Sequence, residues 1–316
     1  MRLQGETSVE RLCQVAGVSR AGYYRELVEK EPEQEEMMVR SAIQEIALAH
    51  RRRYGYRRIL IELGKRGLRV NHKRVARLMR EDNLLAVRRR KFITTTTDSD
   101  HELTVYWNVA ARMKVSGVNQ LWVADITYIR LRKEFVYLAV VIDRFSRRVV
   151  GWSLDRSLSS RLTITALQGA IELRQPGVGL VHHSDRGVQY ACEDYVKLVE
   201  TRKMIPSMSR AGNPYDNAVC ESFLKTLKVE EIYCSDYRDL EELRDHIEEF
   251  IDRYYNRQRL HSALGYQSPE EFEKASAAPS QQEMEGLGAS MNFTKRTEML
   301  SAGTESERQP VGVGEE

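Results

Sequence analysis

Between Leu121 and Ser209 the apolar residues fall in short β-branched runs instead of at helical spacing, and the order of those runs constrains the fold more than any other feature of this 316-residue chain. Residues 121–131 (LWVADITYIRL), 134–143 (EFVYLAVVID) and 147–154 (RRVVGWSL) each read as a strand bounded by polar residues. Strands in such quick succession pair antiparallel, because a parallel crossover needs a dozen or more intervening residues. A helix is expected over 160–173, ended by Pro176 and Gly177, then a strand at GLVHHSD, a helix near 193–203 and a short strand at IPSMS. Two more helices are expected over 216–230 and 239–255, the second with Leu240, Leu243, Ile247, Phe250, Ile251 and Tyr254 at helical spacing. The order βββαβαβ followed by helices predicts an α/β fold, a mixed five-stranded sheet with helices on both faces.

The chain is longer than one ordinary core requires, so smaller units are expected before the sheet. Residues 8–25 (SVERLCQVAGVSRAGYYR) read as two short helices, with a turn at Gly17 and Ser19 capping the second. That is a helix-turn-helix-like pattern, though a plain helical hairpin has the same signature. Glu29 to Glu36, with Pro32, reads as a break, and a helix should run from about Met37 to His50. In 51–84, Ile59, Leu60 and Leu63 mark one helix and Val75, Leu78 and Met79 a second, for which Asn71 is the expected cap.

The net charge of +3 hides a strong asymmetry: Arg40 to Lys91 holds 17 Lys and Arg against 4 acids. An excess of that size suits a phosphate backbone better than a merely solvated face. Arg57, Arg58, Lys73, Arg74 and Arg77 are the expected DNA contacts there. Tyr54 and Tyr56 fit either stacking on DNA or bracing a small helical domain. The expected domains are 1–36, helix-turn-helix-like; 37–92, basic and DNA-binding; 93–113, a flexible linker; 114–275, the sheet domain; and 276–316, a disordered tail.

At 41% hydrophobic and 30% charged residues, without an apolar run long enough for a membrane span or a secretory signal, a cytoplasmic protein is expected. Cys13, Cys192, Cys220 and Cys234 show no Cys-x-x-Cys spacing and are read as reduced thiols.

Three acids stand out. Asp125 lies in the first strand beside Val123, Ile126 and Ile129, where a carboxylate calls for a cation. Asp185 ends the fourth strand, and Glu221 opens the helix after GNPYDN. Three such carboxylates are the donor set that hard divalent cations take. Asp143 precedes Arg144 and Arg147 and reads as a turn former or ion-pair partner. Adjacent His182 and His183 point to opposite faces of a strand, which argues for packing over zinc, and Trp122 and Trp152 read as core. Lys225 and Lys228 share a helical face with Glu221 and fit either DNA phosphates beside it or plain surface lysines near Glu230. Gly212 to Asn217 reads as a mobile loop.

The gaps of 59 residues between Asp125 and Asp185 and of 35 between Asp185 and Glu221 resemble the DD(35)E signature of retroviral integrases and bacterial insertion-sequence transposases. WVADITYI, VVIDRFSRRVVGW, HHSDRGVQY, GNPYDNAVCESFLKTLKVE and YYNRQRLHSALGYQSPEEF are similar to the integrase-core product, usually called OrfB, of insertion-sequence family three. RRRYGYRRI and VNHKRVARLMRE are similar to the helix-turn-helix-like region that precedes that core, so the resemblance spans about residues 10–275. It implies a ribonuclease-H-like catalytic domain in which Asp125, Asp185 and Glu221 bind Mg²⁺ or Mn²⁺, and, with its basic residue seven after the Glu, DNA contact by Lys225 and Lys228. The implied activity is cleavage of transposon-end DNA followed by 3′-hydroxyl strand transfer, by a nucleoid-associated bacterial enzyme. Implied partners are transposon-end and target DNA, further copies of the chain in a synaptic complex, and an upstream reading-frame product. The alternatives are a ribonuclease-H-like nuclease that never joins strands and a catalytically silent DNA-binding protein.

Overall fold

The computed structural model describes residues 8–27, 34–86, 105–210 and 217–277, and the chain divides into two compact units, within residues 1–87 and 88–316. The expected tail from 278 onward, residues 93–104 of the expected linker and residues 212–216 of the expected loop lie outside the described residues. No helix among the described residues is long and apolar enough to cross a membrane.

The first unit is helical. In α1 (Val9–Ala16) the Ser8 side chain accepts the Arg11 N–H, and Gly17 ends the helix in the left-handed region that glycine adopts without strain. The Ser19 hydroxyl accepts the Gly22 N–H at 3.0 Å and so caps α2 (Arg20–Leu27), as its sequence implies. α3 (Gln34–Ala49) begins earlier than expected. Its first turn takes in Glu35 and Glu36, acids that stabilise a helix N-terminus. α4 (Tyr56–Lys65) and α5 (His72–Glu81) follow, and Asn71 caps α5 by accepting the Lys73 N–H at 2.8 Å. Val39, Ile43 and Ile46 of α3 join Ile59, Leu63, Val75, Leu78 and Met79 as buried residues.

The second unit is built on β1 (Leu121–Arg130), β2 (Phe135–Asp143), β3 (Val149–Asp155), β4 (Val181–Ser184) and β5 (Ile205–Met208), in the order β3-β2-β1-β4-β5. β1, β2 and β3 pair antiparallel, while β4 pairs parallel with β1 and with β5. This is the mixed five-stranded sheet the sequence predicts. Between the strands run α6 (Ser160–Arg174), the short α7 (Val188–Ala191), which the periodicity misses because it spans a single turn, and α8 (Glu193–Thr201). After the sheet come α9 (Ala218–Glu230), α10 (Leu240–Glu248) and α11 (Pro269–Ala277). The helix expected over 239–255 changes character at Glu249, where the chain widens into π-helical turns up to Tyr255. The end of the expected linker is ordered: Ala110 is buried and its N–H reaches the Ser207 hydroxyl of β5.

Side chains alternate across a strand, so one face of β1 carries Trp122 and Ala124 and the other Val123 and Asp125. The Trp122 face joins Ala139 and Val141 of β2, Leu162, Ala166 and Ala170 of α6, and Tyr190 and Tyr195 in one buried cluster. α9 lies on the opposite face, against β1 and β2, burying Cys220, Phe223, Leu224 and Leu227. Trp122 is fully buried as expected, but Trp152 is only half-buried.

α6 lies close on β3 because residue 151 has no side chain. A Cβ there would stand 2.2 Å from the Ala166 carbonyl oxygen and 2.8 Å from the Ala170 Cβ. Gly151→Ala should therefore lower stability in urea unfolding by about 3 kcal/mol, at the upper end for an overpacked core. A loss below about 0.5 kcal/mol, the scale of a neutral surface substitution, would mean that α6 is not seated this closely.

Candidate active site

The site begins with strand register. Trp122 pairs with His182 and Val123 with His183 on the parallel strands β1 and β4. Two residues further along each chain stand Asp125 and Asp185, on the same face as Val123 and His183. Adjacent strands lie about 4.8 Å apart, so this register sets two carboxylates side by side. His183 fixes the register from below: it is fully buried, and its ring nitrogens meet the Ser207 and Ser209 hydroxyls at 2.9 and 3.0 Å. His182, on the other face, shares a 2.5 Å hydrogen bond with the Tyr195 hydroxyl, and burial pushes its pKa down to about 3. Both histidines are packing residues, as their alternation implies.

Asp125 is half-buried, and its Oδ1 accepts the N–H of Ile126 at 2.8 Å. Burial, followed by the charge of Asp185 and then that of Glu221, lifts its carboxyl from 3.8 to about 8, against the Ile126 hydrogen bond and the Lys228 ammonium. The Oδ1 of Asp185 accepts the N–H of Gly187 at 2.9 Å, which turns the chain from β4 into α7. A Cβ on Gly187 would come within 3.0 Å of that same oxygen. Tyr190, on α7, is buried close enough to both aspartates that their charges raise its phenol further above its ordinary value, after burial itself.

Glu221 lies exposed in the first turn of α9, where the helix dipole favours a negative charge. Lys225 follows on the exposed surface. Lys228 is half-buried, its Nζ 4.7 Å from the Tyr128 ring centroid, and burial lowers its pKa while Tyr128 and Asp125 oppose that. Glu230, which the sequence places among surface lysines, instead forms a nearly buried pair with Arg259 at 2.7 Å, and Tyr254 donates to it as well. That pair anchors the far end of the helix bearing Glu221.

The charges of Asp185 and Glu221 thus both reach Asp125, on one side of the sheet. The three acids are not drawn into a closed ring: among the described residues no three His, Cys, Asp or Glu side chains stand close enough to hold a single ion. As donors, three carboxylates with one ammonium nearby form an electron-rich oxygen set of the kind a hard divalent cation neutralises.

Asp143 is a turn former. It is fully buried, its Oδ1 accepting the Phe145 and Ser146 N–H groups and its Oδ2 the Asn119 N–H. None of the four cysteines forms a disulfide. In the helical unit, Tyr54 braces the fold: it is fully buried, stacks on His50 at 3.9 Å, and lies under the Arg58 guanidinium at 5.5 Å. The Arg57 Nε donates to the Tyr56 hydroxyl at 3.2 Å. Arg74 and Arg77 do not simply face outward. Arg74 pairs with Glu35 at 2.8 Å, Arg77 with Glu36 at 3.3 Å and Glu81 at 2.9 Å, and Arg40 joins Glu36, Glu81 and Asp82. The arginines of α5 therefore tie it to α3, while Lys73 and Arg80 are exposed.

Integrase core domain families match residues 115–214 and 202–269, and an HTH-like domain family matches residues 33–92. The chain is 40% identical over 265 residues to the insertion element IS600 uncharacterized 31 kDa protein of Shigella sonnei, covering 83% of this chain and 97% of that one. It is 36% identical over 280 residues to transposase InsF for insertion sequence IS3A of Escherichia coli K12, covering 87% and 97%. The HTLV-2 integrase catalytic core domain superposes with a TM-score of 0.39 at 16% identity over 50% of this chain and 97% of that one, too loosely to carry an argument.

Two outcomes test the electrostatics. Since the Asp125 carboxyl titrates at 3.8 unfolded and about 8 folded, the folded state holds the extra proton across that window. Stability without divalent ions therefore falls as pH rises from about 4 to about 8 and levels above it. Asp125→Asn should raise the metal-free melting temperature at pH 8 and have little effect near pH 4; a variant less stable than the parent at pH 8 would contradict this. For the buried pair, Arg259→Ala should cost about 3–5 kcal/mol in denaturant unfolding, because Glu230 is left buried and charged. The double variant Glu230→Gln, Arg259→Met should recover most of that loss, and no recovery would show that the ion pair is not the source.

Proposed function

Because the chain belongs to the IS3-type insertion-sequence transposases, sharing an integrase core domain and an HTH-like domain with that family, we propose that Asp125, Asp185 and Glu221 are the carboxylates with which it cuts and joins DNA. The observation that carries the assignment is the register of β1 and β4, which sets Asp125 beside Asp185 on the face that α9 covers with Glu221 in its first turn.

The reaction is polynucleotidyl transfer. Water attacks a phosphodiester at the element's end and frees a 3′-hydroxyl, and that hydroxyl then attacks a target phosphodiester, releasing an alkoxide that takes up a proton. Bound Mg²⁺ or Mn²⁺ would lower the pKa of the attacking oxygen and offset the charge on the leaving one. Asp125 and Asp185 supply the oxygens fixed by the sheet, and Glu221 the one carried on the helix. Asp125 must give up its proton to serve as a ligand, which its raised pKa makes the pH-sensitive part of loading. Lys228, beside Asp125, and the exposed Lys225 stand where DNA phosphates would approach these acids.

Residues 37–92 form the DNA-binding unit in this reading and 114–275 the catalytic core. Lys73, exposed on α5, and Arg57 and Arg58 on α4, which already touch Tyr56 and Tyr54, are further candidates for backbone contacts. Arg74 and Arg77 would reach phosphates only by exchanging carboxylate partners. Joining two ends to a target brings further copies of the chain together, and a product of an upstream reading frame is the remaining proposed partner.

Purified protein given Mg²⁺ and a labelled duplex of its own element's terminal repeat should release a 3′ end and join it to target DNA. Asp185→Asn should abolish both steps while retaining the DNA in a gel-shift assay. Nicked products that are never joined would reduce the assignment to a nuclease. Equal loss of binding and cleavage would make Asp185 a folding residue.

A further inference from the structure

At position 217 an asparagine stands immediately before α9, where such residues usually accept a backbone N–H of the first turn and stabilise the helix by about 1 kcal/mol. Asn217 makes no such cap. It is 7% exposed, and its Nδ2 instead donates to the carbonyl of Ala124, the residue before Asp125, at 3.0 Å. The amide orientation is fixed by chemistry, since a carbonyl can only accept. Its Oδ1, the atom that would have capped the helix, is buried with no partner among the described residues.

The alternation of β1 says where this contact lies. The Leu121 carbonyl faces β2, accepting the Arg144 N–H beyond that strand at 2.9 Å, while the Gln120 carbonyl faces β4, accepting the Val181 N–H at 3.0 Å. Ala124 follows Gln120 by two full periods, so its carbonyl also points toward β4. The paired residues of β1 and β4 end at Val123 and His183. Asn217 therefore occupies the place of a lost ladder partner, in the opening between the strands that carry Asp125 and Asp185, one helical turn before Glu221.

We infer that Asn217 is a positioning residue of the site: its side-chain amide ties the start of α9 to the β1 backbone and so sets the distance from Glu221 to the two aspartates. The inference rests on the assignment of those three carboxylates. The helix forgoes a cap to make the tie, which joins the element carrying Glu221 to the strand carrying Asp125 through a neutral group.

The test compares Asn217→Ala with Asp125→Asn and Glu221→Gln as references, and with Asn256→Ala as a control. Asn256 is equally buried, and its amide clamps both backbone groups of Val149, away from the acids. Three quantities are measured on the full chain: Mn²⁺ affinity by calorimetry, KM and kcat for end cleavage, and melting temperature. Asn217→Ala should weaken Mn²⁺ binding and lower kcat by about tenfold each, with KM for DNA unchanged, the size expected for a residue behind the ligands. Asn256→Ala should lower only the melting temperature.

Parent-like Mn²⁺ affinity and kcat in Asn217→Ala, with both references inactive, would overturn the inference and leave the carboxylate assignment standing. Active reference variants would instead overturn the assignment beneath it. An equal loss of Mn²⁺ affinity in the Asn256 control would also overturn the inference, as a general loosening of the fold. If Asn217→Ala does not fold, Asn217→Asp keeps the shape without the donor. Parent-like cleavage by that variant, or its failure to fold as well, would likewise count against a positioning role.

Discussion

A carboxylate drawn out of water beside a second one is unfavourable, and the sheet of this chain holds such a half-buried pair. The parallel register of β1 and β4 leaves Asp125 and Asp185 side by side, and burial first, then the charge of Asp185, pushes the Asp125 carboxyl up to about 8. The surrounding structure holds the pair in place instead of relieving it. His183, pinned between two serines, fixes β4, Gly187 leaves room for the Asp185 carboxylate to fold back on its own turn, and the buried Glu230 and Arg259 secure the helix that brings a third acid. A scaffold that keeps three acids on one side of its sheet offers the oxygen donors that a hard divalent cation takes, and on the proposed assignment these donors serve the phosphodiester chemistry.

The helical unit illustrates a different balance. Its surplus of basic residues is partly consumed within the fold, because Arg40, Arg74 and Arg77 are set against Glu35, Glu36, Glu81 and Asp82. Such a lattice orients α5 on α3, and it leaves a smaller set of side chains to meet a DNA backbone than the raw count suggests. Partly exposed pairs of this kind contribute little stability individually, so their value lies in fixing which face of α5 points outward.

Much of this was legible in the residues. The strands announce themselves through β-branched runs, Ser19 and Asn71 act as the caps their positions imply, and the spacing of Asp125, Asp185 and Glu221 singles out the acids the sheet brings together. What stayed hidden depends on contacts between distant segments. Glu35 and Glu36 read as part of an acidic break because Arg74 and Arg77, the arginines of α5 that they meet, lie about 40 residues away in sequence, beyond any local pattern. No local pattern singles out Gly187, and Asn217 reads as an ordinary turn residue. Their importance comes from a 3.0 Å approach to the Asp185 carboxylate and from a hydrogen bond to a strand 93 residues earlier. The π-helical turns after Glu248 escaped because the apolar spacing from Leu240 to Tyr254 fits a plain helix equally well.

The central claim is that the three acids form one ion-binding set. The most direct measurement is a crystal structure of the full chain soaked in Mn²⁺, with the anomalous signal locating the ion. Density bounded by carboxylate oxygens of Asp125, Asp185 and Glu221, with their side chains drawn inward, is the expected result. Manganese bound elsewhere, or bound to the aspartates while Glu221 stays turned away, would contradict it.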